Sequence, residues 1–298
     1  MKRISHDSTQ IIAGGSSDCL YIFDIETERQ NNRSIRELPG HDNHVNAVQW
    51  VDKSNNLIAS GSDDGLIKLW DKRTFSSNPS PVGTFVGHLD GITFIDASVI
   101  SPFFFIHFRN LMCFFFFKSD GMNILSNAKD QSIRVWDVRQ SISPSLAVAP
   151  PESDWDYRHG EHYYSDHQMS IWKGRLAHKD DNSIAQYRGH SVFRTLIRAR
   201  FSPPQTTGER YIYCGSSSPT YSVYIFDVLT GKIVKKLDGH KDTVRDVSWH
   251  PHLPEIVSSA WDGKFIKWSY SCDNITKAKT PVNNTPQPAA PKPKYYFE

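Results

Sequence analysis

Apolar and polar residues alternate through short segments of this chain, and the segments come in sets. After Gly40-His41, the run "HVNAVQW" alternates as a half-buried strand does. "LIASGS" predicts a second strand, "DDG" a tight turn, "LIKLWD" a third strand and "PVGTFVG" a fourth, which runs into Gly87-His88. There the set begins again. Gly40-His41 leads to Trp70-Asp71, Gly87-His88 to Trp136-Asp137, Gly189-His190 to Phe226-Asp227, and Gly239-His240 to Trp268-Ser269. An orphan ending, Phe23-Asp24, precedes them all, and "SIAQYRG" and "KIVKKLDG" read as later fourth strands.

A period in the forties with these marks is the signature of WD repeats, one four-stranded propeller blade per unit. The expected fold is therefore all-β, a WD-repeat β-propeller of about five recognisable blades, one of them partial. Propellers of this class often close with seven blades, so the chain reads as the C-terminal part of a seven-bladed propeller. It is expected to enter in mid-blade near Gln10 and to lack the outer strand of its last blade after Trp268. Residues 1–270 are assigned to the propeller, and 271–298 to a disordered Pro/Lys-rich tail.

Each well-formed unit places polar residues at matching offsets: His41, Ser60, Asp64 and Trp70; His88, Ser126, Asp130 and Trp136; His240, Ser258, Asp262 and Trp268. In WD repeats such residues form a buried hydrogen-bonded tetrad, since an imidazole and a carboxylate are tolerated inside only when mutually satisfied. A Ser, a His and an Asp also invite a hydrolase triad. Threefold repetition and the lack of a G-x-S-x-G elbow favour structure over catalysis. Two units are degenerate. The one from Gly189 has Cys214 in the Ser slot, Phe226 for Trp and a longer turn; the orphan unit is read with Gly14 in the Ser slot and a turn one residue shorter.

Spacing exposes two intruders. His-to-Trp distance is 29 residues from His41 and 28 from His240, but 48 from His88. Removing 98–118, a Phe-rich run of 21 residues, restores a spacing of 27. Phe codons resemble the pyrimidine tract before a splice acceptor, so this insertion reads as translated intron; the alternative is a hydrophobic loop that docks a partner. Sequencing the transcript across the junction decides. The second intruder is an inter-blade loop over 140–183, where His159, His162 and His167 lie beside Asp166 in a spacing that matches no metal-ligand pattern.

Bulk composition narrows the function. A formal charge of +2, with no basic block, leaves no footprint of a nucleic-acid binder. Cys19, Cys113, Cys214 and Cys272 are far apart and read as reduced thiols, with no disulfide or metal framework. The first residues carry no apolar signal-peptide core. The apolar stretch 99–117 suggests a membrane span, but Arg109 at its middle costs about 2.5–3.5 kcal/mol. No membrane, nucleic acid or cofactor is expected.

Non-repeat strings carry a narrower resemblance: "DGITFID", "YRGHSVFRTLIRARFSP", "TGERYIYCGSS", "VRDVSWHPHLPEIVSSAWDG", and "WDYR" in the long loop. Together they resemble the damaged-DNA-binding-protein-one- and cullin-four-associated factor eleven family, also called WD-repeat protein twenty-three. The resemblance implies a non-catalytic substrate receptor of a cullin-four RING ubiquitin ligase, found in nucleus and cytoplasm. It also implies docking on the ligase adaptor, damaged-DNA-binding protein one, through W-D-x-R boxes. Trp70-Asp71-Lys72-Arg73 and Trp136-Asp137-Val138-Arg139 match, which puts Asp71, Arg73, Asp137 and Arg139 at the adaptor. The same boxes also occur where the Arg only pairs locally, so a scaffold for another complex is the alternative.

Overall fold

The computed structural model describes residues 1–25, 35–75, 79–98, 122–150 and 177–270. These form nineteen strands in five antiparallel meanders, each one blade. Blade one is β1 (Lys2–Ile4), β2 (Gln10–Gly14), β3 (Cys19–Asp24) and β4 (Ile35–Pro39). Blade two is β5 (Val45–Trp50), β6 (Leu57–Ser62), β7 (Ile67–Asp71) and β8 (Gly83–Phe85). Blade three is β9 (Ile92–Ala97), β10 (Asn123–Ala128), β11 (Ser132–Asp137) and β12 (Ala185–Arg188). Blade four is β13 (Ala199–Phe201), β14 (Tyr211–Cys214), β15 (Ser222–Asp227) and β16 (Ile233–Asp238). Blade five has three strands: β17 (Val244–Trp249), β18 (Glu255–Ala260) and β19 (Phe265–Ser269). One turn of helix, α1 (Pro204–Thr207), and short 3-10 turns complete the described chain.

The first blade differs from the sequence expectation. Lys2–Ile4, ahead of the first strand expected near Gln10, pairs with β2 through Lys2↔Ala13 and Ile4↔Ile11 and makes the blade four-stranded. The segment is too short for alternation to declare it, and only its pairing partner makes it a strand. The blade with three strands among the described residues is the last. The Phe-rich run beyond Ser98, the loop residues 151–176 with His159, His162, His167 and Asp166, and the tail all lie outside the described residues. On either side of the Phe-rich run, β9 and β10 pair as one hairpin, with Ser98 N–H donating to Asn123 O at 2.9 Å.

No blade owns a core. Four buried apolar clusters lie between the five blades. Ile12, Leu20 and Leu38 meet Val48, Ile58 and Trp70 between blades one and two. Ala59, Leu69 and Phe85 meet Ile95, Ile124 and Trp136 between two and three. Leu125, Ile133 and Tyr187 meet Ile212, Cys214 and Phe226 between three and four. Tyr213, Val223 and Ile225 meet Val244, Val247 and Ile256 between four and five. A single sheet cannot bury both faces, so stacking supplies what each unit lacks. Middle strands in the run are accordingly buried at almost every position, as in β7 and β10. In β19, the last described strand, Phe265 is 79% exposed. Contacts between blades concentrate on the first strands β5, β9, β13 and β17, which therefore form the inner layer of the assembly.

Candidate functional site

Two sets of polar residues repeat from blade to blade: the tetrads inside, and Asp–Arg pairs at the rim. In blade two, His41 Nδ1 meets Asp64 Oδ2 at 2.7 Å, His41 Nε2 meets Ser60 Oγ at 2.7 Å, and Trp70 Nε1–H donates to Ser60 Oγ at 2.8 Å. In blade three the same contacts are 3.0 Å for His88–Asp130, 2.7 Å for His88–Ser126 and 2.8 Å for Trp136–Ser126. In blade five they are 3.1 Å for His240–Asp262, 2.8 Å for His240–Ser258 and 2.8 Å for Trp268–Ser258. Hairpin register does the local work: Ser60 pairs with Lys68, which brings Trp70 on the returning strand back over it. The Gly of the Gly-His mark has a reason too. A Cβ on Gly40 would come within 2.8 Å of the Trp70 ring tip, and one on Gly239 within 2.9 Å of that of Trp268.

Blade three fixes the direction of the proton chain. Ser126 Oγ accepts from Trp136, so its own O–H donates to His88 Nε2, and His88 Nδ1–H donates to Asp130. The imidazole is neutral: burial lowers its pKa by more than the Asp130 charge raises it. Burial pushes the Asp130 carboxyl up, but His88, Arg134 and Ser132 together hold it far below the ordinary carboxylate range. Asp64 and Asp262 are likewise lowered against the opposing effect of burial. Ser60, Ser126 and Ser258 are all 0% exposed, so no substrate carbonyl reaches their hydroxyls. What this arrangement does is lock the hairpin of each blade to the strand that enters it.

The degenerate units depart from expectation in an informative way. Ala13, not Gly14, holds the Ser slot of blade one. It pairs with Tyr21 as Ser60 pairs with Lys68, and the turn has the same length as in blade two. Gly14 matches Gly61 instead: both lie against the first strand of the next blade, where a Cβ would come within 2.6 Å of Val45 Cγ1 or Ile92 Cγ2 respectively. The two adjacent glycines hid the register. In blade four, with Cys214 in the Ser slot, His190 Nε2–H donates instead to Asn127 Oδ1 of blade three at 2.8 Å. Its Nδ1 is buried without a partner, and Phe226 stands edge-on to the ring at 6.2 Å.

Burial lowers the His190 pKa to about 4, only partly opposed by the charge of Asp130. Between the ordinary value near 6.5 and that folded value, the unfolded chain takes a proton that the native state refuses. Stability is therefore lost as pH falls through this window, by about 3 kcal/mol for this group. Urea unfolding of the native protein and His190→Gln at pH 7 and pH 4.5 is expected to show the variant's disadvantage shrinking with acid. Parallel pH profiles would refute the assignment.

At the rim, the third strands of blades two and three end in Asp and feed a 3-10 turn. Asp71 caps that turn by accepting from Arg73 N–H at 2.9 Å, and grips the guanidinium through Nε at 3.0 Å and Nη2 at 2.7 Å. Asp137 repeats this with Arg139, at 2.9 Å to both Nε and Nη2. Hydrogen bonds from these arginines depress both carboxyl pKa values. Yet the arginine side chains stay 68% and 45% exposed. Blade four has a third pair that its sequence conceals. Asp227 ends β15 and holds Arg210, not a residue of its own turn, at 3.0 Å through Nε and Nη2. The signal is register alone, since Tyr211 pairs with Asp227 across the hairpin and Arg210 precedes it. Among the described residues no group of three or more His, Cys, Asp or Glu could hold a metal, and no helix is long and apolar enough to cross a membrane.

Comparison with known proteins places this architecture. The family model for the WD domain, G-beta repeat, matches residues 32–71, 79–137 and 231–269, the three blades with full tetrads. The LEC14B protein of Lithospermum erythrorhizon is 40% identical over 90% of this chain and 50% of its own length. The DDB1- and CUL4-associated factor 11 homolog of Caenorhabditis elegans is 37% identical over 90% of this chain and 42% of its own length. The chain thus spans about half the length, or less, of the curated relatives it matches. A chain from a crystal structure of the mitotic checkpoint complex shares the fold with a TM-score of 0.59 at 20% identity, over 91% of this chain and 60% of that one. The chain carries WD repeats in an all-β, propeller-like fold and is similar in sequence to the DDB1- and CUL4-associated factor 11 homologues of Caenorhabditis.

Proposed function

We propose that this chain is a non-catalytic substrate receptor of a cullin-four ubiquitin ligase, which docks on the adaptor DDB1 through the rim arginines. The observation that carries the reading is the forked pair at the end of the third strand in blades two and three, Asp71–Arg73 and Asp137–Arg139. Each Asp holds one edge of the guanidinium while the Arg73 and Arg139 side chains stay 68% and 45% exposed, so the fork is already ordered before a partner arrives. An adaptor carboxylate would then gain a planar donor at low entropic cost. The names of the nematode relatives, which declare association with DDB1 and CUL4, support the same reading. Arg210, held by Asp227 at the matching place in blade four, extends the row by one.

Capture of the full chain on immobilised DDB1 tests it. The double variant Arg73→Glu, Arg139→Glu is expected to weaken capture at least about tenfold, since each reversal opposes a complementary charge at the interface. Arg210→Glu should weaken it further. The pairs could instead serve only to tie off the end of each blade. In that case capture survives the double change while thermal stability drops, and the docking reading falls.

A further inference from the structure

A second cluster of arginines, unconnected with the rim, lies on the inner layer of the propeller. Arg3 on β1, Arg198 just before β13, and Arg200 on β13 all place their guanidinium over one ring, Phe94 on β9, at 5.3, 5.7 and 5.5 Å from its centre. Three cations from blades one and four thus converge on one aromatic of blade three. Like charges this close need counter-charge, and two of them have it. Asp246 on β17 of blade five binds Arg198 Nη1 at 2.5 Å and Arg200 Nη2 at 3.2 Å. Arg200 also donates to Val247 O at 2.8 Å.

Arg3 lacks such a partner. Among the described residues no carboxylate pairs with it and no acceptor receives its side chain, and its Nε is buried and unpaired. The nearby carboxylates Asp96 and Asp246 act on Arg3 only through space: Asp96 accepts from Phe201 N–H at 3.0 Å, and Asp246 is taken up by Arg198 and Arg200. A buried guanidinium nitrogen without an acceptor is costly unless something supplies one. Arg198 and Arg200 remain 36% and 21% exposed, so the cluster is reachable from solvent. Asp246 shows what the site accepts: one carboxylate bridging two guanidinium forks.

We propose that Arg3, Arg198 and Arg200 form a binding site for an acidic peptide segment of a partner protein, with one of its carboxylates bridging Arg3 and its neighbours as Asp246 bridges the other two. Adaptor docking at the rim plays no part in this, so either reading can fail alone. If both hold, acidic segments are the class of protein the receptor presents.

Fluorescence anisotropy with the full chain tests it, using a labelled Glu–Gly repeat peptide and a Gln–Gly peptide as its neutral match. The acidic peptide is expected to bind at least about tenfold tighter than the neutral one, with an affinity that falls as salt rises. Arg3→Gln should remove about tenfold of that affinity and Arg3→Lys less, because a point charge replaces a fork. Lys179→Gln, a charge change on a side chain 75% exposed and outside the cluster, should change nothing. Arg200→Gln serves as a second probe should Arg3→Gln melt early. Equal affinity for the two peptides, or full affinity in both Arg variants, overturns the site. If inorganic phosphate displaces the peptide where chloride of equal ionic strength does not, the site belongs to a free anion and the peptide assignment falls.

Discussion

Replacing Asp130 with alanine is expected to cost about 3–5 kcal/mol of folding stability, read as a lowered urea midpoint. The carboxylate is fully buried and accepts from four donors: His88 Nδ1 at 3.0 Å, Leu89 N at 3.1 Å, Ser132 N at 3.0 Å and Ser132 Oγ at 2.7 Å. Alanine leaves all four facing a void too small and too enclosed to hydrate each of them, and a buried unsatisfied donor costs about 1–3 kcal/mol. The matched change in blade five, Asp262→Ala, serves as the control. Asp262 accepts from His240 Nδ1 at 3.1 Å and from Lys241 N and Lys264 N at 3.0 Å each, and the last two lie in exposed surroundings. Water takes over there, so a loss of about 1–2 kcal/mol is expected. Equal losses in the two blades would mean that burial does not set the strength of the tetrad.

Trp136→Ala is the second large effect, expected at about 3–5 kcal/mol. Its indole is 0% exposed and sits in the cluster shared by blades two and three, against Phe85 at 5.7 Å. Removing it opens a cavity at a seam, where both blades lose contacts, and also strips Ser126 of a donor. Trp136→Phe separates the two contributions. It keeps most of the apolar volume and removes the 2.8 Å hydrogen bond from Nε1, so a loss of about 1–2 kcal/mol is expected. Blade four is the natural precedent: Phe226 fills the Trp place where Cys214 replaces the Ser that would have accepted. Should Trp136→Phe prove as damaging as Trp136→Ala, the hydrogen bond outweighs the packing.

Amino-acid order alone determined the blades, their strand pattern and the tetrads. His88, 42 residues before Asp130, was legible because the Gly-His mark repeats ahead of the same hairpin in the other units. The strands depend on short spacings, and a hairpin register of a few residues brings Ser126 under Trp136. The W-D-x-R boxes were legible for the same reason, since Asp137 and Arg139 lie two residues apart and pair within one turn. Tertiary structure decided everything that crosses between strands without a local mark. Only register against Tyr21 put Ala13 in the place assigned to Gly14, and only pairing with β2 made Lys2–Ile4 a strand. His190 finds Asn127 63 positions away in another blade, and Arg210 finds Asp227 across a hairpin. Arg3 stands over Phe94 because their first strands share the inner layer, whatever the chain between them does. Repeats encode each blade locally, but a blade cannot bury its own faces. Packing between blades therefore chooses the partners that spacing cannot name.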